Sequence, residues 1–371
     1  MFVLFCFRQD LLNLRWIDLS RSTYLLEIPD LSRAKNLEYI DLSFCESLLE
    51  VHSSIQHLEK LEILILSGCK NLGIVPKRIE SKFLRILDLS HCKKVRKCPE
   101  ISGYLEELML QGTAIEELPQ SISKVKEIRI LDLSGCSNIT KFPQISGNIK
   151  QLRLLWTVIE EVPSSIEFLA TLGVLEMNFC EQLSSLPTCI CKLKCLERLE
   201  LSYCPKLESF PEILEPMESL KCLDLSGTAI KELPSSIKFL SCLYMLQLNR
   251  CDNLVSLPSF IEKLPVLKYL KLNYCKSLLS LPELPPSVEF LEAVGCESLE
   301  TLSIGKESNF WYLNFANCFK LDQKPLLADT QMKIQVTFSS SSCFSLSLPL
   351  SLSIHTHTHT HTHTHIYIHK R

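Results

Sequence analysis

Apolar positions recur along the chain in a fixed phrase rather than in long runs. The phrase is an aliphatic residue, two variable positions, Leu, one variable position, Leu, two variable positions and a small residue. Its starts fall at Leu14, Leu37, Leu61, Leu84, Leu105, Ile128, Ile149, Leu172, Leu196, Leu220, Leu243, Leu267, Val288 and Phe310, at steps of 21 to 24 residues. The copy Leu61, Leu64, Leu66, Cys69, Leu72, Val75, Pro76 returns as Leu196, Leu199, Leu201, Cys204, Leu207, Phe210, Pro211. The second and third aliphatic residues of a phrase are two apart, so both point to one face of a short strand. The later pair, such as Leu72 and Val75, fills the core from the far side. Proline follows it in ten copies, at Pro76, Pro99, Pro119, Pro143, Pro163, Pro187, Pro211, Pro234, Pro258 and Pro282. Proline blocks a continuing helix and favours extended backbone. The far side is therefore predicted to be extended or 3₁₀, with single helical turns in segments such as 164–169.

Fourteen registered copies make a leucine-rich repeat array. The predicted fold is an α/β-type solenoid, a leucine-rich repeat horseshoe with a parallel concave β-sheet and a mostly extended or 3₁₀ convex side. Residues 14–335 form the array and the start of a junction after it. Residues 1–13 read as a truncated or degenerate N-terminal edge, in which Phe2–Phe7 is apolar but no polar cap is visible. Residues 336–371 read as a low-complexity, disordered tail, Ser/Leu-rich and then strictly alternating His and Thr from His355 to His365.

The array accounts for the 69 Leu and for most of the 18 Cys. Ten cysteines hold the small position after the strand: Cys45, Cys69, Cys92, Cys136, Cys180, Cys204, Cys251, Cys275, Cys296 and Cys318. Ser22, Thr113, Thr157 and Thr228 hold it in the other four repeats. A hydroxyl thus replaces a thiol with no partner left over, which argues against disulfides and for a reducing compartment. The expected role is a small buried donor against backbone carbonyls of the next coil.

Charge and motifs narrow the function. Lys plus Arg is 39 and Asp plus Glu is 42, a net charge of −3. That balance gives no strong grip on nucleic acid or an anionic membrane, and no apolar run is long enough to span a bilayer. Gly68 and Gly73 have the outer spacing of a P-loop, but Ile74 stands where Lys is required. No GxGxxG, HExxH or GxSxG occurs. Cys189, Cys191 and Cys195 form half a metal pattern without a second half. No catalytic residue, cofactor, metal or small-molecule substrate is expected.

Recognition of a protein is the remaining expectation, and the strand face must carry it. Its middle outward position holds Asp18, Asp41, Ile65, Asp88, Met109, Asp132, Arg153, Glu176, Glu200, Asp224, Gln247, Lys271, Glu292 and Asn314, eight of them carboxylates and two basic. Such a stripe is either a solvated face or a docking strip for a basic partner. Just past the strand, Trp156, Phe179, Tyr203, Arg250 and Tyr274 take one rim position that is Gly in repeats 3, 5, 6, 10 and 13. Tyr269, Phe290 and Tyr312 extend an apolar run along the inner face. Tyr, Trp and Arg dominate many protein interfaces, although rim aromatics can equally shield strand edges. Repeats 7–12 are expected to carry the contact surface, with Arg153, Trp156, Glu176, Phe179, Arg198, Glu200, Tyr203, Arg250, Tyr269, Lys271 and Tyr274 as candidate residues.

Three phrases resemble a known family. IDLS at Ile17–Ser20 with IPDLS from Ile28 and Ala34-Lys-Asn-Leu-Glu38 looks like an array opening. LDLSGTAIKELPSS at Leu223–Ser236, copied at Leu108–Pro119, looks like its shortened inner repeats. LNFANCFKLDQK at Leu313–Lys324, followed by Met332-Lys333-Ile334-Gln335, looks like the junction after the array. Together they resemble the leucine-rich part of plant intracellular immune receptors of the TIR-NB-LRR type, including the tobacco mosaic virus resistance protein group. The resemblance covers about residues 9–335. It implies a cytoplasmic or nucleo-cytoplasmic module that binds a pathogen effector, or autoinhibits a receptor nucleotide-binding domain. The family's NAD cleavage and nucleotide switch have no matching residues in this sequence. Two other classes compete: an extracellular receptor ectodomain, and the substrate-binding repeats of an effector-type ubiquitin ligase, which LPELPPSV at Leu281–Val288 resembles.

Overall fold

The computed structural model describes residues 11–125, 127–305, 308 and 310–322, and the backbone of 335–339 and 343–347. The chain divides into two compact parts, Met1–Leu201 and Ser202–Arg371. Both are leucine-rich repeat solenoids built from one coil design.

In the first part each repeat contributes a three-residue strand: β1 Trp16–Asp18, β2 Tyr39–Asp41, β3 Ile63–Ile65, β4 Ile86–Asp88, β5 Glu107–Met109, β6 Ile130–Asp132, β7 Gln151–Arg153, β8 Val174–Glu176 and β9 Arg198–Glu200. They pair in sequence order, all parallel. Register is set by the central aliphatic residue, as in Ile40 opposite Leu64, Leu64 opposite Leu87, and Leu175 opposite Leu199. The second part repeats this with β10 Cys222–Asp224, β11 Met245–Gln247, β12 Tyr269–Lys271, β13 Phe290–Glu292 and β14 Tyr312–Asn314. There Leu223, Leu246, Leu270, Leu291 and Leu313 align in one row. A one-residue slip would turn that row out to water, so the pattern leaves one register.

The far side is extended chain with single 3₁₀ turns, as the prolines imply. The turns are Ser53–His57, Gln120–Lys124, Ser164–Phe168 and Thr188–Lys192 in the first part, and Ser235–Phe239 and Ser259–Lys263 in the second. Pro119, Pro163, Pro187, Pro234 and Pro258 sit immediately before five of them in extended conformation. Each fixes φ where a helix start needs no N–H donor. Before Ser53–His57 no proline stands, and the His52 ring accepts from the Ser54 N–H instead.

The small position behaves as expected in kind but not in direction. The thiols of Cys45, Cys69, Cys92, Cys136 and Cys180 donate to the carbonyls of Leu19, Leu42, Leu66, Leu110 and Leu154, each at 3.1 Å. Cys251, Cys275, Cys296 and Cys318 do the same to Leu225, Leu248, Leu272 and Ala293 at 2.9–3.2 Å. The acceptor lies on the preceding coil, not the next one. The chain at this point bends back under the strand before it, so the thiol adds a second donor to a carbonyl that already accepts from its own coil, as Leu42 does from the Cys45 N–H. Thr113, Thr157 and Thr228 give their hydroxyls to their own coil at 2.7–2.8 Å, and the following cysteine lies 3.3–3.6 Å away. The cysteines of the described residues are free thiols. Burial pushes the Cys45 and Cys251 thiols up to about 11 and raises those of Cys136 and Cys180.

The ends differ from the expectation in one respect. Two strands, β15 Gln335–Ser339 and β16 Cys343–Ser347, pair antiparallel, and Ser345 of β16 pairs with Asn314 of β14. Residues 336–371 were expected to carry no order. The period-two alternation of QVTFS and CFSLS suits strands, and the outer edge of β14 offers a ladder to join. Phe2–Phe7 and the His355–His365 run lie outside the described residues. Beside β1 an apolar cavity of about 250 Å³ is lined by Leu11, Leu14, Ile17, Ile28, Leu31 and Ile40 among others.

Candidate recognition surface

Each strand ends at a sharp turn, and the turn has a chemical cause. In five repeats the last strand residue is Asp and Ser follows two positions on. Asp18, Asp41, Asp88, Asp132 and Asp224 accept the N–H of Ser20, Ser43, Ser90, Ser134 and Ser226 at 2.7–2.9 Å. These are Asx turns. The Ser20 backbone N–H holds the Asp18 carboxyl below the usual carboxylate range. Five of the eight carboxylates in the expected docking stripe therefore terminate strands. Sequence reasoning missed this role, although the recurring Asp-Leu-Ser already spelled it out.

The third residue after each strand's end is in the left-handed region in all fourteen repeats. Arg21, Phe44, Gly68, His91, Gly112, Gly135, Trp156, Phe179, Tyr203, Gly227, Arg250, Tyr274, Gly295 and Asn317 have φ between 58° and 73°. For a non-glycine residue this costs about 1–2 kcal/mol. The signal was legible in the interchange of Gly with bulky residues, but it had been read only as a rim. Arg21, Phe44, His91 and Asn317 belong to the same ridge and were not singled out.

Side chains on this ridge lean over the following repeat. Trp156 and Phe179 are stacked, with ring centroids 4.1 Å apart and 3° from parallel. The Arg250 guanidinium lies 5.0 Å from the Tyr274 ring centre, and that of Arg21 lies 5.8 Å from Phe44. Where glycine follows, the ring occupies the space its Cβ would need. A Cβ on Gly68 would meet Phe44 at 2.6 Å, one on Gly227 Tyr203 at 2.7 Å, and one on Gly295 Tyr274 at 2.6 Å.

In the first part the other candidates form one charged cluster. Arg153 Nε is 3.1 Å from Glu176, its Nη1 is 3.9 Å from Asp132, and its Nη2 donates to Gln151 at 3.2 Å. Arg198 pairs with Glu200 at 3.2 Å, and Glu200 also accepts from Asn178 at 2.9 Å. Burial raises the Glu176 carboxyl, against the lowering pull of Arg153. Arg153 is thus committed to its own neighbours.

In the second part the strand face is aromatic. Tyr269 stacks on Phe290 at 4.6 Å and tilts against Tyr244 at 5.2 Å. Phe290 also meets Trp311 edge-on at 4.7 Å and Tyr312 at 5.8 Å. Tyr269, Lys271 and Tyr312 are half-buried. Tyr203, Arg250 and Tyr274 belong to the ridge of this part rather than to the stripe.

No metal constellation of three or more His, Cys, Asp or Glu occurs among the described residues. Cys189 and Cys191 donate to Ser164 and Thr188 carbonyls, while Cys195 is exposed. No helix of the described residues is long and apolar enough to cross a membrane.

Stacked three-residue parallel strands with an apolar return side define a leucine-rich repeat protein. A family model described as the leucine-rich repeats of RPS4B-like disease resistance proteins matches residues 192–283. Disease resistance protein RPS4B of Arabidopsis thaliana is 37% identical over 316 residues, 84% of this chain and 21% of that protein. Disease resistance protein RPS6 of the same plant is 34% identical over 329 residues, 88% of this chain and 28% of that protein. A solved leucine-rich repeat protein of Leptospira interrogans superposes with a TM-score of 0.42 at 19% identity, over 87% of this chain and 95% of that one. The chain is a leucine-rich repeat array homologous to those of plant disease-resistance proteins, and spans about a fifth to a quarter of the length of these relatives.

Proposed function

We propose that this array is the recognition element of a plant intracellular immune receptor. It is non-catalytic and binds a protein: a pathogen effector, or the nucleotide-binding domain of its own receptor, which it holds inactive. The observation that carries the reading is the ridge. Trp156 is 54% exposed, and Tyr203 and Tyr274 are each 42% exposed, in a backbone conformation that disfavours any side chain at all. Folding alone would be served by glycine there, as five repeats show. Exposed aromatics, with the Arg250 guanidinium 5.0 Å from the Tyr274 ring centre, are the residue types that anchor protein interfaces. Free buried thiols fit a cytoplasmic location.

The test is binding of the purified chain to a panel of secreted pathogen proteins and to the nucleotide-binding domains of the two relatives. Trp156→Ala and Tyr203→Ala are expected to weaken the interaction found by about tenfold or more. Equal affinity of both variants, with loss on changing residues of repeat 2 instead, would overturn this placement.

A further inference from the structure

The ridge has one bare rung. Of its five glycines, four are covered by a ring from the preceding repeat. Phe44 lies on Gly68, Tyr203 on Gly227 and Tyr274 on Gly295, and the His91 ring nitrogen Nδ1 lies 3.1 Å from a Cβ built on Gly112. Gly135 is the exception, because the residue before it on the ridge is Gly112. A Cβ on Gly135 would find only Gly112 backbone, at 3.5 Å.

The bare position is bounded by rings. Upstream, His91 leans over Gly112. Downstream, Trp156 stacks one face on Phe179 of the following repeat, 3° from parallel. Its other face therefore looks back toward Gly135, and the indole is 54% exposed. Repeats 5 and 6 both carry glycine on the ridge, so two side chains are missing between His91 and Trp156, and with neighbouring strands about 4.8 Å apart the gap admits a flat group. Beside Gly135 a second observation stands. Ser134 is 5% exposed, and its Oγ is the one buried side-chain oxygen of the described residues without a hydrogen-bond partner. The equivalent Ser226 takes hydrogen bonds from Asn249 of the next coil, whereas Leu155 stands at that place after Ser134.

We infer that the slot over Gly135 receives an aromatic side chain from a protein partner, which stacks on the open face of Trp156. An aromatic ring is favoured over a cation because rings, not guanidinium groups, cover all four other ridge glycines. On the strand side Asp132 is already answered by Arg153 at 3.9 Å. That the occupant comes from a protein rests on the recognition reading above; the test below reads the slot alone, so its failure leaves that reading standing.

N-acetyl-tryptophanamide is titrated into the full chain while the amides of Gly112 and Gly135 and the Trp156 indole are followed by NMR. Saturable shifts at these three groups are expected. Gly112→Tyr lets the protein lay its own ring over Gly135, as Tyr203 and Tyr274 do over their glycines. Its backbone conformation is one that nine non-glycine residues already adopt. That variant, and Trp156→Ala, are expected to bind the amide about fivefold more weakly or worse. N-acetyl-argininamide is expected to bind the parent more weakly than the tryptophan amide. No saturable shift in the parent, undiminished binding in folded Gly112→Tyr, or a preference for the arginine amide overturns the inference. Should Gly112→Tyr fail to fold, undiminished binding by Trp156→Ala does so alone.

Discussion

The strand faces of the two parts solve one problem in opposite ways. In the first part the face is ionic, and its charges answer one another: Arg153 sits between Asp132 and Glu176, and Arg198 beside Glu200. In the second part the first position of the strand, beside that charged row on the same face, carries Tyr269, Phe290 and Tyr312, whose rings cover one another's faces. Parallel strands bring like positions together at every step, so like charges repel and like rings stack. An ionic face gains where a cation intervenes, as Arg153 does between Asp132 and Glu176, and it uses its groups up there. An aromatic face gains from repetition and still presents its ring edges outward.

In their buried thiols the two parts are alike, and the largest expected effect follows. Burial raises the thiol of Cys251 to about 11, while an unfolded thiol ionises near 8.5. As pH rises through 9 the unfolded chain loses protons first, so stability falls until the folded-state value is passed. The slope is about 1.4 kcal/mol per pH unit for each such thiol. Cys45 of the first part is raised equally, and Cys136 and Cys180 are raised too, so amide exchange between pH 8 and 10.5, corrected for intrinsic rates, should show both parts opening more readily. Protection that holds steady over this range would show that the buried thiols carry no such penalty.

Next comes the aromatic stripe. Phe290→Ala removes ring contacts with Tyr269, Trp311 and Tyr312 and should cost about 1–3 kcal/mol in urea unfolding. A loss below about 0.5 kcal/mol would mean that the rings do little for packing and stand free for a partner. Arg153→Met tests the other face. It leaves Asp132 and Glu176 without their shared cation and should cost about 1–2 kcal/mol at pH 7. Burial already raises the Glu176 carboxyl, and without the lowering pull of Arg153 its folded pKa lies further above the unfolded one, so the penalty exists above about pH 4 and fades as pH falls toward it. A deficit independent of pH would show that Arg153 acts through packing alone.

Much of this was legible in the leucines. Their period fixes strand, register and core because a buried row tolerates no slip, and the prolines set the far side. The polar details were less legible because the same residue serves different ends. Asp132 and Glu176 look alike in a stripe of carboxylates, yet one caps a turn and the other holds an arginine. The direction of the cysteine donors depends on which way the backbone bends after the strand, which spacing does not encode. The ridge shows the same limit: Gly and Trp share a position because the backbone there is left-handed, and a sequence prints only the residues.

The smallest effect is expected at the ridge itself, and it is the most informative about function. Trp156→Gly relieves a left-handed tryptophan, worth about 1–2 kcal/mol. It gives up the stack on Phe179, about 0.5–1.5 kcal/mol, and adds about 0.5–1 kcal/mol of unfolded-chain entropy. The sum is close to zero, and urea unfolding should move by no more than about 0.5 kcal/mol. Trp156→Ala keeps the strain and loses the stack, so it should be the less stable of the two. If both hold, folding places no demand on the side chain at this position in either part of the molecule. The rings of Trp156, Phe179, Tyr203 and Tyr274 would then be kept by what they touch outside the chain, and the ridge, rather than the ionic or the aromatic strand face, would be where the two parts do the same work. A loss of about 2 kcal/mol or more on Trp156→Gly would instead make the stack a structural clasp of the first part, and leave the aromatic face of the second as the stronger candidate for binding.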